Sequence, residues 1–214
     1  EISKMFELSQ LLAFLAASLA LNLTPGADMT YVIARSATQG RSAGIAASFG
    51  IAAGSVVHTL LAALGVSALL QHSEAAFLAV KYAGAAYLVY LAWKAIRAGD
   101  SGPVTTRALD RSGLWRVFGE GALTNLLNPK VALFILAFLP QFVDPTRGSA
   151  ALQILALGAL FNIGGTTINA IVACFASAAA RIIGNSAAFG RWLNRISALV
   201  FVGLAVRLAL VERR

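Results

Sequence analysis

The feature that most constrains this chain is a pair of long apolar stretches, one in each half, each interrupted near its middle by a polar phrase built around proline. The first phrase is Asn22-Leu23-Thr24-Pro25-Gly26-Ala27-Asp28 and the second is Asn125-Leu126-Leu127-Asn128-Pro129-Lys130. Stretches of about 20 apolar residues are long enough to cross a hydrocarbon core as helices. Proline removes an amide donor and its ring clashes with the preceding turn, so each stretch is expected to break there and free backbone groups at membrane depth. Paired breaks of this kind point to a transporter's substrate site.

Composition agrees with a membrane chain. Of 214 residues 58% are hydrophobic and 12% charged, with a mean hydropathy of +0.77, whereas soluble domains are roughly half apolar and a quarter charged. The charges gather between uncharged runs instead of lining amphipathic faces. The net charge of +8 is therefore read as a topology signal. A nucleic-acid partner would call for a continuous basic face with interleaved aromatics, and none is visible. Cys174 is the sole cysteine, which excludes an internal disulfide or a cysteine-based metal cluster; it reads as a small buried apolar side chain. Met5-Phe6-Glu7-Leu8 reads as an ordinary start, with residues 1–4 as an addition. The first apolar run lacks the strongly basic start of a signal peptide and continues through Pro25 to Ala34, so it is expected to be a retained helix.

Six segments are long enough to span: 8–34, 43–70, 75–96, 116–142, 150–180 and 192–211. The expected fold is all-α, a polytopic membrane protein of six transmembrane helices, with spans one and four broken at proline. Residues 1–97 and 116–214 form its two three-helix halves, and 98–115 a cytoplasmic linker marked by Gly99-Asp100-Ser101-Gly102-Pro103. Because each half has an odd number of spans, the second enters the membrane from the opposite side, which makes the pair an inverted repeat. Two echoes support the repeat. Lys81 to Leu88 resembles Arg195 to Val202, and Gly54-Ser55-Val56-Val57-His58-Thr59 resembles Gly164-Gly165-Thr166-Thr167-Ile168-Asn169. Connections after spans one, three and five hold Arg35, Arg41, Lys94, Arg97, Arg107, Arg111, Arg116, Arg181, Arg191 and Arg195, against Lys4, Arg147, Arg213 and Arg214 on the other side. Ten against four places both termini outside the cytoplasm. Trp93, Trp115 and Trp192 fall at the inferred cytoplasmic interface.

At this point the chain resembles the LysE/RhtB amino-acid exporters over nearly its whole length. The motifs that carry the likeness are Leu23-Thr24-Pro25-Gly26-Ala27-Asp28-Met29, Ala34-Arg35-Ser36-Ala37-Thr38-Gln39-Gly40-Arg41, Asn125 through Phe134, and Phe138-Leu139-Pro140-Gln141-Phe142. The resemblance implies export of an amino acid, with homoserine, threonine and leucine typical of this branch. Two departures stand out: Ala27 occupies the place of a usual second proline, and Ser55 that of a frequent aspartate.

An ionised side chain within a span needs a partner or water. Of Asp28, Lys81, Glu120, Lys130 and Arg207, the Lys81 and Arg207 side chains can snorkel to an interface, and Glu120 lies a turn from Arg116. Asp28 and Lys130 remain, each beside a proline. An amino acid is a zwitterion, so one reading has Asp28 and freed carbonyls near Leu21 and Asn22 accept its ammonium, while Lys130 and the amides after Pro129 bind its carboxylate. The other has Asp28 and Lys130 pair with each other or with backbone and hold the breaks together. The substrate-binding set is then Asn22, Thr24, Pro25, Gly26, Asp28, Ser55, Asn125, Asn128, Pro129, Lys130 and Thr166. For Asn128, directly before its proline, satisfying a freed backbone group is an equally good role. Asn162, Thr167 and Asn169 either line the path or make interhelical hydrogen bonds. His58 is either a proton relay or a packing histidine. Ala46, Gly50 and Gly54 form a small-residue face for a close helix contact, within the chain or in a homodimer.

The expected function is a secondary transporter of the bacterial inner membrane, with an amino acid, protons and the lipid bilayer as partners. No metal, cofactor or enzymatic activity is expected. Proton antiport is inferred because no Gly-x-x-x-x-Gly-Lys-Ser/Thr loop is present to couple ATP, and Asp28 is its candidate carrier. An intramembrane enzyme would need a nucleophile elbow or a zinc motif, and neither occurs. A cation or metal exporter of the same superfamily is the alternative, ranked below amino-acid export because the spans show no cluster of His, Cys and carboxylates. A channel would have no need of paired breaks with opposite charges.

Overall fold

The computed structural model describes residues 5–72 and 112–175, with scattered positions from 78 to 97 and from 192 to 206. Spans three and six, Lys81, Arg207, the linker and the Lys81/Arg195 echo therefore lie mainly or wholly outside the described residues. Among the described residues the structure is all helical. Its elements are α1 (Leu8–Leu23), α2 (Ala27–Gln39), α3 (Arg41–His72), α4 (Leu114–Leu126), α5 (Pro129–Leu133) and α6 (Ala150–Cys174). A wide π turn over Phe134–Phe138 and a tight 3-10 turn over Leu139–Phe142 continue α5. Within α3 and α6 the stretches Arg41–Gly65 and Ala150–Cys174 are each long and apolar enough to cross a membrane. The pairs α1 with α2, and α4 with Pro129–Phe142, reach that length together and bend by 49° and 53°.

Each bend follows from a missing amide. Pro25 has no N–H for the Leu21 carbonyl four residues back, so α1 stops at Leu23 and α2 starts after an extended Gly26. Pro129 occupies the first turn of α5, where its absent N–H costs nothing, and Asn128 caps that turn by accepting from the Lys130 amide at 3.1 Å. A third proline, Pro140, explains the π turn. Its ring cannot sit over the Leu136 carbonyl, and the helix widens ahead of it.

Leu8, Leu12, Leu15 and Leu19 lie on one exposed stripe of α1, while Phe14, Ala17, Ser18 and Leu21 are buried. Exposed leucines at helical spacing suit a lipid-facing surface. Inside, Phe14, Phe134, Phe138, Phe142 and Phe161 form one aromatic stack with centroid separations of 4.8 to 6.3 Å. Lipid tails are as apolar as these rings, so close van der Waals contact is what holds the stack.

Glycines set the α3 to α4 contact. A Cβ on Gly54 would stand 2.7 Å from the Ala122 carbonyl oxygen, one on Gly121 2.7 Å from that of Ala47, and one on Gly50 would strike the Phe118 carbonyl. The small-residue face of α3 is thus spent on an internal contact. Gly40 takes a φ of 92°, a conformation that glycine adopts without strain, and turns α2 directly into α3. Before α6, the fully buried Gln153 side chain donates to the Asp144 carbonyl at 2.7 Å and accepts from the Asp144 amide at 2.9 Å, clamping the loop. Hydrogen bonds from the Thr146 hydroxyl and amide, and the Arg147 charge, hold the Asp144 carboxyl below the usual carboxylate range.

One reading needs correction and another is extended. The first segment runs past Ala34 to Gln39, so Arg35 belongs to α2 and not to a loop; it is buried, at 4% exposure. Glu120, read as a partner of Arg116, also pairs with Arg35. Arg41 and Arg116 likewise fall inside α3 and α4, so the charge count is one of basic residues in or beside the connections.

Candidate functional site

The freed carbonyls are the foundation of the site. Leu21, whose proper donor would have been residue 25, instead accepts from Lys130 Nζ at 3.0 Å, and the same ammonium donates to the Thr24 carbonyl at 2.9 Å. Asn125 stands four residues before Pro129 and has lost its donor in the same way. Its carbonyl accepts from the Asn128 amide at 2.9 Å and lies 3.2 Å from His58 Nε2. A carbonyl can only accept, so the His58 tautomer that suits this contact carries its proton on Nε2. Gly26 makes room for Lys130, since a Cβ there would be 3.3 Å from Nζ.

These repairs bring α1, α2, α3, α4 and α6 around one cavity. Asn22, Thr24, Gly26, Asp28, Ser55, Asn125, Lys130 and Thr166 all line it. Pro25, Asn128 and Pro129 do not, because they shape the breaks from outside. The space among these residues is about 460 Å³, part of it open to the surroundings.

Asp28 Oδ2 accepts from Asn125 Nδ2 at 2.8 Å. Asp28 Oδ1, Asn125 Oδ1 and Ser55 Oγ are buried on the same cavity without a hydrogen-bond partner. Two of these three atoms can only accept. A buried polar atom without a partner is costly, and three of them meet at this cavity. The positive charge of Lys130 lies on the wall too, held by Leu21 and Thr24. Met29, Ile51, Val131 and Phe161 supply apolar surface between the polar groups.

On α6, Thr166 Oγ1 donates to Asn162 Oδ1 at 3.1 Å, and Asn162 Nδ2 donates to the Ala52 carbonyl at 2.9 Å. Thr167 bonds its own helix at Ile163, while Asn169 reaches the cavity wall. Sequence reasoning missed Met29, Ile51, Val131 and Phe161, which carry no chemical signal beyond apolarity. It also missed the use of Gly165: a Cβ there would be 2.9 Å from Asn22 Oδ1, so this glycine admits Asn22 to the wall. The doubled glycine at 164 and 165 was the available sign.

The chain is 33% identical over 204 residues to an uncharacterized membrane protein of Vibrio cholerae, covering 92% of this chain and 95% of that protein. It is 31% identical over 204 residues to an uncharacterized membrane protein of Pseudomonas aeruginosa, covering 87% and 88%. A leucine efflux protein of Salmonella typhimurium is 29% identical over 208 residues, covering 93% and 94%. No solved structure gives a significant match. The signature of the LysE type translocators matches residues 19–212, which takes in both proline phrases and every residue of the cavity, and the chain belongs to that family.

Proposed function

We propose that this protein exports a neutral, aliphatic amino acid, leucine or one of similar size, in exchange for protons. The observation that carries the reading is the set of partnerless acceptors on one cavity. Asp28 Oδ1 and Asn125 Oδ1, with Ser55 Oγ, would take the three N–H donors of an ammonium group. Lys130 would attract the carboxylate, and Met29, Ile51, Val131 and Phe161 would hold the side chain. A bare cation would use the oxygens but gain nothing from Lys130 or the apolar wall, so the amino-acid reading accounts for more of the cavity. The efflux activity named for the Salmonella relative supports the direction and the substrate class.

Around this site we place six spans in an inverted repeat, both termini outside the cytoplasm, in a bacterial inner membrane. The two bends of similar size, each after a proline-freed carbonyl, support the repeat. Ten basic residues in or beside the connections after spans one, three and five, against four on the other side, support the orientation. Asp28 is the carrier proposed for the proton, as the one carboxylate among the described residues that line the cavity.

The test is leucine binding to the purified protein by calorimetry, with export from vesicles alongside. Asp28→Asn should abolish binding while the protein still inserts, and isoamylamine, which lacks the carboxylate, should bind much more weakly than leucine. Retained leucine binding in Asp28→Asn would refute the ammonium site. Export that persists after a protonophore collapses the gradient would refute antiport alone.

A further inference from the structure

Two turns along α2 from Asp28 stands a second polar cluster that the proposed binding does not use. Arg35 is buried and forms an ion pair with Glu120 of α4. Arg35 Nε donates to the Tyr31 hydroxyl at 3.2 Å, and that hydroxyl lies 2.9 Å from Glu120 Oε2 and 3.0 Å from the Val117 carbonyl. The hydroxyl has one hydrogen, and the charged carboxylate is the stronger acceptor. We infer that Tyr31, Arg35 and Glu120 form a releasable latch on the seam between α2 and α4, and that this latch must open for an amino acid to reach the cavity from the end of the molecule where α2 turns into α3.

Three observations support a latch over a permanent staple. The first is its place. Asp28 with Asn125, and Arg35 with Glu120, are successive rungs between the same two helices, roughly 10 Å apart along α2. Among the described residues, Val32, Ala47, Ile51, Val117 and Ala173 form a small apolar cluster against which Tyr31 packs, and Ile51 also lines the cavity. The second is the contrast with the other buried cluster among the described residues, which is much larger and holds the phenylalanine stack.

The third observation is how the partners divide. Arg35 also donates to Gln39 at 2.7 Å, so Tyr31, Arg35 and Gln39 travel together on α2. Glu120 also accepts from Arg116 at 3.0 Å, on its own helix, with Arg116 at 75% side-chain exposure. Breaking a buried ion pair is costly when it strands a charge. Here, parting the helices leaves Glu120 its ion pair with Arg116 and leaves Arg35 the Tyr31 and Gln39 side chains of its own helix, while the 2.8 Å bond from Gln39 to the Ser112 carbonyl ahead of α4 yields with the latch. Opening is thereby made reversible.

The inference rests on the cavity being the binding site, and its test separates the two. Ser55→Cys in a Cys174→Ser background puts one thiol on the cavity. A small cationic methanethiosulfonate that does not cross membranes is applied to right-side-out and to inverted vesicles. Glu120→Gln, and the double change Arg35→Gln with Glu120→Gln, should speed labelling by about tenfold from the Arg41 face alone, as expected when a charged hydrogen bond closing one face is lost. Unchanged labelling, or an equal rise from both faces, overturns the latch. In a second arm, Arg35→Cys with Glu120→Cys is cross-linked. Export should stop and return on reduction, and export at the reduced rate while cross-linked overturns the latch as well. If Asp28→Asn leaves leucine binding intact, the site reading falls, whereas the face-specific rise still judges the latch.

Discussion

The two proline interruptions arise from the same loss and are repaired in opposite ways. After the first, the carbonyls of Leu21 and Thr24 are held by an ammonium from Lys130, more than a hundred residues away. After the second, the Asn125 carbonyl is met by the Asn128 amide of its own turn, and Asn128 in turn caps the Lys130 amide. His58 only adds to a repair already made. The first break exists by courtesy of the opposite half of the chain, while the second is largely self-made. The same lysine serves both, since it starts the helix after one break and satisfies the carbonyls of the other.

This asymmetry predicts unequal costs. Lys130→Met keeps the length of the side chain and strands two carbonyls, each worth about 1–3 kcal/mol when buried without a donor. Thermal unfolding in detergent should register a loss of about 3 kcal/mol or more, and an unchanged midpoint would mean that the first break does not depend on the ammonium. Asn128→Ala removes a helix cap, for which about 1 kcal/mol is expected. Its effect should stay local, visible as faster amide exchange in α5 with α1 unaffected. His58→Phe takes one of two donors from the Asn125 carbonyl, at a cost of about 0.5–1 kcal/mol; a loss matching that of Lys130→Met would erase the distinction between the breaks. Smallest is Gly26→Ala. Its backbone is extended with φ at −164°, so alanine fits, and the new methyl need only displace the flexible tip of Lys130. The expected cost is about a few tenths of a kcal/mol, in the range of ordinary surface changes, and a larger one would show that Nζ has no room to shift.

Sequence reasoning located both interruptions, because proline acts on the backbone four residues away and its effect is local. The same is true of Asp28 and Lys130, whose charges stand out within apolar runs. What Lys130 touches was not legible, since its acceptors are carbonyls with no side-chain signature in a segment distant along the chain. Arg35 was misplaced for a related reason. A charge near the end of an apolar run reads as a loop charge unless its partner is known, and Glu120 lies 85 residues away. The apolar wall at Met29, Ile51, Val131 and Phe161 was invisible, because in a chain this hydrophobic an apolar residue facing a cavity looks the same as one facing lipid.

The glycine contact between α3 and α4 has a consequence for how the molecule is made. One helix belongs to the first half and the other to the second, yet their backbones touch at Gly50, Gly54 and Gly121 with no side chain between. During synthesis α3 is complete well before α4 emerges, so the groove at Gly50 and Gly54 must wait in the bilayer for the strip of backbone that fills it. Neither half can finish its own packing, and two separately expressed halves would each present the shape that captures the other.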